Sequence, residues 1–393
     1  MWQRTPDNRG TETLQQILVD ELSLPVDHLR SEPVCAAAYF AYRYQQVERR
    51  PIKGNLLVCD MGGGTFDVAL CRVSGQHVEV LDFEGNGHQG LGLAGVVFDR
   101  AAVTLAYAAV HGENPAPDNL EFLDALREFE KVKIGQHHSV ISLLELRSEN
   151  LELSDTPLYV FQRKYQLKYD QVQESFQPIE EGIATVLSRL LERAKAKGWT
   201  VDRVAIVGGF GQFPFVQQTI LKRLGIGDQD VRFDATIMNS EVRAYAVAYG
   251  SALIANEIIQ PVEYYPHTIG IFAYRKEKGV LVEAFLPLIE AGKMPAGQAT
   301  PYFMQDNVGK PLTIRVERQA YARLPVYICL RGAGELFAIQ TPEVEYPPAG
   351  SYHLGLIVDR SNLASLIFKP LEAGEERVYH LGKLSFDLMV EEE

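Results

Sequence analysis

Residues 58–70 read VCDMGGGTFDVAL. An apolar run from Leu56 to Cys59 ends in Asp60, and three glycines follow at Gly62, Gly63 and Gly64, with Thr65 and Asp67 just beyond. Consecutive glycines let a backbone turn sharply and approach a ligand closely. Their N–H groups can converge on an anion without interference from side chains. A hydroxyl and two carboxylates beside such a turn suit a phosphate accompanied by Mg2+. The metal would offset the carboxylate charge and would be held through waters. The same string also fits a plain glycine-rich β-hairpin with a solvated aspartate pair, and the glycines alone do not separate the two readings.

That turn needs a strand on each side. NLLVCDMG and TFDVALCRV supply them, and HVEVLDFEG reads as a third. Ahead of them, TETLQQILVDEL sets Leu14, Ile17, Leu18 and Leu22 at helical spacing, with Thr11 or Thr13 as N-cap. SEPVCAAAYFAYRYQQVER predicts a second helix with Ser31 as N-cap, Pro33 in the first turn and alanines on one tight face. Residues 95–135 are helical in texture, whereas HSVISLLEL and LYVFQRKYQL read as strands. Residues 171–197 predict a long amphipathic helix with Ile179, Ile183, Val186, Leu187, Leu190 and Leu191 on one face. VDRVAIVGG then predicts a strand, PFVQQTILKRLG a helix and VRAYAVAYGSALIANEI a helix rich in small residues.

Near residue 260 the texture changes. QPVEYYPHT has two prolines and no helical stripe, so a linker is expected there. A series of short β runs follows, from TIGIFAYR and GVLVEAFLPLI to SLIFKP and VYHLGKL, with no long helix between them. That pattern predicts an all-β, sandwich-like domain.

Composition narrows the function classes. The chain has 393 residues, 46% apolar and 23% charged, the range of a protein with an ordinary buried core. The net charge of −13 argues against a nucleic-acid partner, whose phosphates it would repel. No apolar run reaches the roughly 20 residues that a membrane helix needs. MWQRTPDNRG has no apolar segment of the signal-peptide kind, so a cytoplasmic protein is expected. Cys35, Cys59 and Cys71 lie among apolar residues, and no cysteines are spaced as CxxC, so buried free thiols are expected.

The string around the triple glycine closely resembles the second phosphate motif of the 70-kDa heat-shock chaperone family, whose ATPase domain has the actin-like (ribonuclease-H-like) fold. Further segments match in the same order. SEPVCAAAYFAY resembles the family's glutamate-proline-alanine helix, and GHQGLGLAGVVFD its glycine-rich turn into a Phe-Asp helix. EKVKI with GQHHS resembles the helix that packs on adenine and ribose. VAIVGGFGQFPFVQQTI resembles the adenosine motif, and AVAYGSAL the closing helix. The opening of the β-rich region, EYYPHTIGI, GKMPAGQATPYF and PLTIRVER, resembles the start of the family's peptide-binding domain.

The resemblance implies an organisation in three parts. Residues 1–50 would be remnant helices of the first ATPase lobe. Residues 51–260 would be the second lobe, an α/β lobe with an α+β subdomain inserted at about residues 96–180. Residues 261–393 would be a β-rich domain for unfolded peptide. It also implies a site for ATP or ADP with Mg2+. Asp60, Asp67 and Glu32 would face the hydrated metal, and Gly62, Gly63, Gly64 and Thr65 would hold the phosphates. Glu130 and Lys133 would contact the ribose, and Gly208 and Gly209 would let the backbone approach the nucleoside.

This chain departs from the family in two ways. Ile134, His137 and Gln212 stand where the family has arginine, serine and arginine around the adenine, and VRAY replaces a proline-aspartate-glutamate near Ala244. The family's first phosphate hairpin and catalytic lysine have no counterpart in residues 1–50, so phosphates would be clamped from one side only. The expectation is a truncated chaperone-like relative that binds nucleotide and hydrolyses it negligibly on its own. A scaffold protein that keeps the fold without the activity, or one half of a split chaperone, are the alternatives. A sugar or acetate kinase shares the superfold but fits the motif order poorly. Leu14, Ile17, Leu18, Leu22, Tyr39 and Tyr42 would expose apolar surface for self-association or for a missing lobe.

Overall fold

The computed structural model describes residues 14–49, 52–85, 93–148, 156–227, 230–234, 240–265, 268–277, 280–305, 309–317, 326–329, 336–339, 347–361 and 363–381. They fall into two compact units. One is Ser31–Pro261, and the other joins the described residues up to Arg30 with those from Val262 onward.

In the first unit the chain runs α1 (Glu32–Glu48), β1 (Lys53–Met61), β2 (Phe66–Ser74), β3 (His77–Gly85), α2 (Gly95–His111), α3 (Leu120–Gly135) and α4 (His137–Ser148). It continues through β4 (Pro157–Phe161), β5 (Tyr165–Lys168), α5 (Tyr169–Ala196), β6 (Arg203–Val207), α6 (Pro214–Arg223), α7 (Ser240–Ala255) and β7 (Gln260–Val262). A five-stranded sheet has the order β6-β1-β2-β3-β7, with β1 parallel to β6 and antiparallel to β2.

Alternate residues of the central strands feed two separate cores. Leu57, Cys59 and Met61 of β1, Phe66, Val68 and Leu70 of β2 and Ile206 of β6 join the cluster under α2, α3, α5 and α6. Leu56 and Val58, Ala69 and Cys71, and Ala205 and Val207 join the cluster under α1 and α7. A strand covered on both faces must be apolar at every position, which is why β1 reads as a continuous run rather than an alternation. Each fully buried Leu, Ile or Phe contributes about 1.5–3 kcal/mol. Cys35, Cys59 and Cys71 are buried and free, as expected.

α1 and α7 cross closely. A Cβ on Gly250 would overlap the backbone of Cys35, so the crossing depends on a bare α-carbon at that point. Ser31 does precede α1, but its carbonyl rather than its hydroxyl receives the Val34 and Cys35 amides, and Pro33 occupies the first turn. α5 buries Ile179, Ile183, Val186, Leu187 and Leu190, the expected face.

One predicted element has the other type. HSVISLLEL forms the helix α4 rather than a strand. Val140 is buried and Leu143 and Leu144 are half-buried against the same core, an i, i+3, i+4 set. A short apolar run satisfies both periods, and here the packing partner decides in favour of the helix. LYVFQRKYQL forms the hairpin of β4 and β5.

The second unit contains residues 14–30 and the β-rich region. Residues 14–16 begin a helical turn that continues as a π-helix, Ile17–Glu21. Ile17 and Leu22 are exposed and Leu14 and Leu18 half-buried. Leu29 donates its amide to Ser361 Oγ at 3.1 Å, and Arg30 pairs with Glu263 at 2.9 Å. Of the stretch 1–50, the described residues 14–30 belong to this unit and 31–49 to the other. Tyr39 and Tyr42 of α1 lie half-buried against the core beneath that helix.

From Val262 onward the named elements are all strands: β8 (Thr268–Glu277), β9 (Val280–Ile289), β10 (Tyr302–Phe303), β11 (Thr313–Val316), β12 (Val326–Cys329), β13 (Leu336–Ile339), β14 (Gly350–Val358), β15 (Ala364–Pro370) and β16 (Arg377–His380). They make two antiparallel sheets, β13-β12-β8-β9 and β10-β14-β15-β16, with β11 also on β14. Both contribute to one apolar cluster, through Ile269, Ile271 and Leu288 from the first and Leu354, Leu356, Leu366 and Phe368 from the second. The segment QPVEYYPHT, read as a linker, begins as an edge strand: the Gln260 amide donates to the Gln76 carbonyl at 2.8 Å.

Candidate functional site

β1 and β2 are joined by Gly62–Thr65, and the Gly62 amide donates to the Thr65 carbonyl at 3.0 Å to close the turn. Asp60 stands opposite Asp67 in the β1–β2 register and opposite Val207 in the β1–β6 register. The chain leaves β6 through Gly208, whose φ is +83°. A Cβ there would lie 2.6 Å from Asp60 Oδ1 and would overlap the Met61 carbonyl, so the backbone of this second turn rests directly on the first.

Gly62, Gly63 and Gly209 differ from Gly208. None has a positive φ, and a Cβ on any of them would meet nothing closer than 3.6 Å. Neither backbone strain nor packing in the described fold calls for glycine at these positions. Bare backbone facing open space is what close approach of a ligand needs.

The N-terminus of α2 abuts the same turn. The Val96 amide donates to the Gly63 carbonyl at 2.8 Å, and the Gly95 amide to the Gly62 carbonyl at 3.3 Å. These bonds satisfy amides that a helix start otherwise leaves without partners, and they tie the turn to α2. The segment that leads into α2, 86–92, lies outside the described residues.

Asp60 is buried, and its carboxyl is pushed up to about 7 by that burial first, then by Glu32 and Asp67. Glu32 is exposed in the first turn of α1, and Asp67 is half-buried with its Oδ1 against the backbone of Gly85. A buried carboxyl raised by two neighbouring carboxylates marks a place that suits a hard divalent cation. Among the described residues no three acidic, histidine or cysteine side chains are close enough to ligate one ion directly. Binding through the ion's own water shell is the form these carboxylates fit, and Mg2+ usually keeps several waters.

Lys133 of α3 forms an ion pair with Asp99 of α2. Its Nζ donates to Asp99 Oδ1 at 2.5 Å and Oδ2 at 2.8 Å, with both side chains largely buried. The ammonium also sits 5.0 Å from the ring centroid of Phe210, the residue after Gly209, and 5.8 Å from that of Phe98. Asp99 is raised above the usual carboxylate range by burial, an effect that Lys133 opposes and Glu130 reinforces. Phe210 in turn lies 3.3 Å from where a Cβ on Gly95 would stand. The glycine turn, the start of α2, the turn after β6 and Lys133 are thus linked by direct contacts. Glu130 and Ile134 are exposed on α3, and His137 is half-buried beside the His138 ring. Asp99 and Phe210 were not singled out from sequence. Asp99 closes the string VVFD, and Phe210 follows the two glycines of VAIVGGFG.

A family model described as Hsp70 protein matches residues 28–264. Chaperone protein DnaK of Mesomycoplasma hyopneumoniae, from strain 7448 and from strain J, is 27% identical over 253 residues. The match covers 63% of this chain and 39% of each relative, so the chain spans about two fifths of the length of the curated relatives it matches. Among the described residues no helix is long and apolar enough to cross a membrane.

Proposed function

The chain belongs to the Hsp70 protein family, and from that premise we propose that Ser31–Pro261 binds an adenine nucleotide with Mg2+ while the β-rich unit binds unfolded peptide, a chaperone-like pairing of activities. The observation that carries the nucleotide half is the set of glycines at Gly62, Gly63 and Gly209, which the fold itself does not require and which lie in the two turns that Gly208 brings together at the buried Asp60. The backbone of Gly62–Thr65 would cradle the β- and γ-phosphates. Gly208 and Gly209 would admit the nucleoside, with Glu130 and Lys133 at the ribose. Asp60, Asp67 and Glu32 would hold water molecules of the metal shell. When bound, Mg2+ would screen the phosphate charge from these carboxylates.

The peptide half rests on the hairpin of β8 and β9. Phe272, Tyr274, Val280, Leu281 and Val282 are exposed there, and β9 is an edge strand. An extended peptide can add to such an edge through its backbone and seat alternate side chains on the apolar tip.

Ligand-induced stabilisation tests the nucleotide half. Anything that binds only the folded state raises its melting temperature, by an amount that grows with the ratio of free ligand to its dissociation constant. ATP with Mg2+ should raise the melting temperature of the first transition, and ATP with a chelator should not. No shift at millimolar nucleotide would favour a second reading, a non-catalytic scaffold. The exposed Ile134, which stands where the family has an arginine, is the feature that supports that alternative.

A further inference from the structure

We propose that Asp99 is a positioning residue for nucleotide recognition, holding Lys133 so that one ammonium N–H is free for a hydroxyl of the ligand's sugar. The inference rests on the nucleotide reading above and extends it to a residue in the second turn of α2.

α2 performs two tasks within a short stretch. Its first amides, on Gly95 and Val96, hold the carbonyls of the glycine turn. Asp99 follows one turn later and grips Lys133 with both carboxylate oxygens. The glycine turn and the Lys133 ammonium are therefore referenced to the same rigid helix.

Lys133 is confined on its other sides by the rings of Phe210 and Phe98. A lysine stem is long and flexible, and its ammonium would otherwise sample many positions. An ammonium has three donors. Asp99 accepts two of them, and aromatic faces attract the cation without accepting a directional bond as a hydroxyl would. Phe210 directly follows Gly208 and Gly209, so the ammonium sits near the turn through which a ligand's sugar would enter, and a neutral hydroxyl there can accept the remaining donor. A second phosphate is a poorer partner, because the Asp99 carboxylate already neutralises the lysine.

A purely structural ion pair would look the same in the coordinates, so the test must read recognition rather than folding. Affinities of ATP and 2′,3′-dideoxy-ATP, both with Mg2+, are measured for the wild type, Asp99→Asn and Lys133→Gln, each with a melting curve. The wild type should prefer ATP by about tenfold, the size of one hydrogen bond from a charged donor. Both variants should lose that preference while their affinity for the dideoxy nucleotide stays close to the wild-type value. Lys133→Gln keeps a donor towards Asp99, so it serves if Asp99→Asn fails to fold. An unchanged preference in a folded variant overturns the role of Asp99 and leaves the nucleotide reading intact. A parallel loss of affinity for both nucleotides also overturns it, since that marks a structural pair. No binding of either nucleotide by the wild type overturns the nucleotide reading and this role together.

Discussion

Gly208 rests its backbone on the carboxylate of Asp60: a Cβ at position 208 would stand 2.6 Å from Asp60 Oδ1. This contact joins the turn after β6 to the end of β1, and it explains why glycine is needed at 208 for a reason that does not apply at 209. Gly208→Ala is expected to destabilise the first unit by roughly 1–3 kcal/mol from its positive φ alone, with the collision adding to that. Gly209→Ala, at φ −59° with open space around it, should stay within about 0.5 kcal/mol of the wild type. Urea midpoints of the two variants provide the comparison.

The carboxyl of Asp60 gives the unit a characteristic pH dependence. Its folded-state pKa is about 7, above the ordinary carboxylate value of 3.8. Between those values the folded state holds a proton that the unfolded chain has lost, so stability falls as pH rises through the window, by up to about 1.4 kcal/mol per pH unit. The contribution of Asp60 is greatest below the lower value and least above pH 7. Asp60→Asn should flatten the profile and raise stability at pH 8. Denaturation curves at pH 5 and pH 8 in a chelating buffer measure this, and a wild-type profile that rises over the interval would contradict it.

Arg193 of α5 ties that helix to β3. Its guanidinium donates to both oxygens of Asp82, to Glu84 and to the Phe83 carbonyl. Asp82 is almost fully buried, so removing the cation takes away the guanidinium that offsets its charge inside the protein. Arg193→Met is expected to cost about 3–5 kcal/mol. Replacing all three charged residues by apolar ones should recover most of that loss, and chemical denaturation of both variants tests the pair of expectations.

The β8–β9 hairpin carries the peptide half of the account. Val280 and Leu281 are exposed at its tip, so aspartate at either position should leave the melting curve of the β-rich unit unchanged. Binding of a fluorescently labelled, unfolded apolar peptide should weaken about tenfold, the loss of roughly 1.4 kcal/mol of apolar contact. Equal affinity in wild type and Leu281→Asp would place peptide binding elsewhere or exclude it.

The parts of the fold that were legible in the sequence share a physical property. β1 and β2 could be read because both faces are buried, which demands apolar residues throughout and leaves Asp60 conspicuous at the strand end. α5 could be read because one face is buried and the other exposed over 28 residues, long enough for the period to declare itself. HSVISLLEL was too short for that, and only its packing on the core through Val140 makes it helical. The division at Arg30 was not legible either, because it depends on Ser361 and Glu263, far away in sequence.

The site divides along the same line. The glycines, Asp60 and Thr65 announce themselves within a few residues. The Lys133–Asp99 pair joins residues 34 positions apart on different helices, and either charge alone reads as an ordinary exposed helix residue.

Calorimetric titration of the wild type and Gly63→Val with ATP and Mg2+ tests the central claim most directly. A Cβ at 63 would make only an ordinary contact, 3.6 Å from Val96 Cγ2, while the bulk of a valine there would block approach of a phosphate to the turn. The expected result is weak, saturable, Mg2+-dependent binding by the wild type and none by a folded Gly63→Val. Binding that is unaffected by Gly63→Val, or no binding by the wild type, would contradict the account.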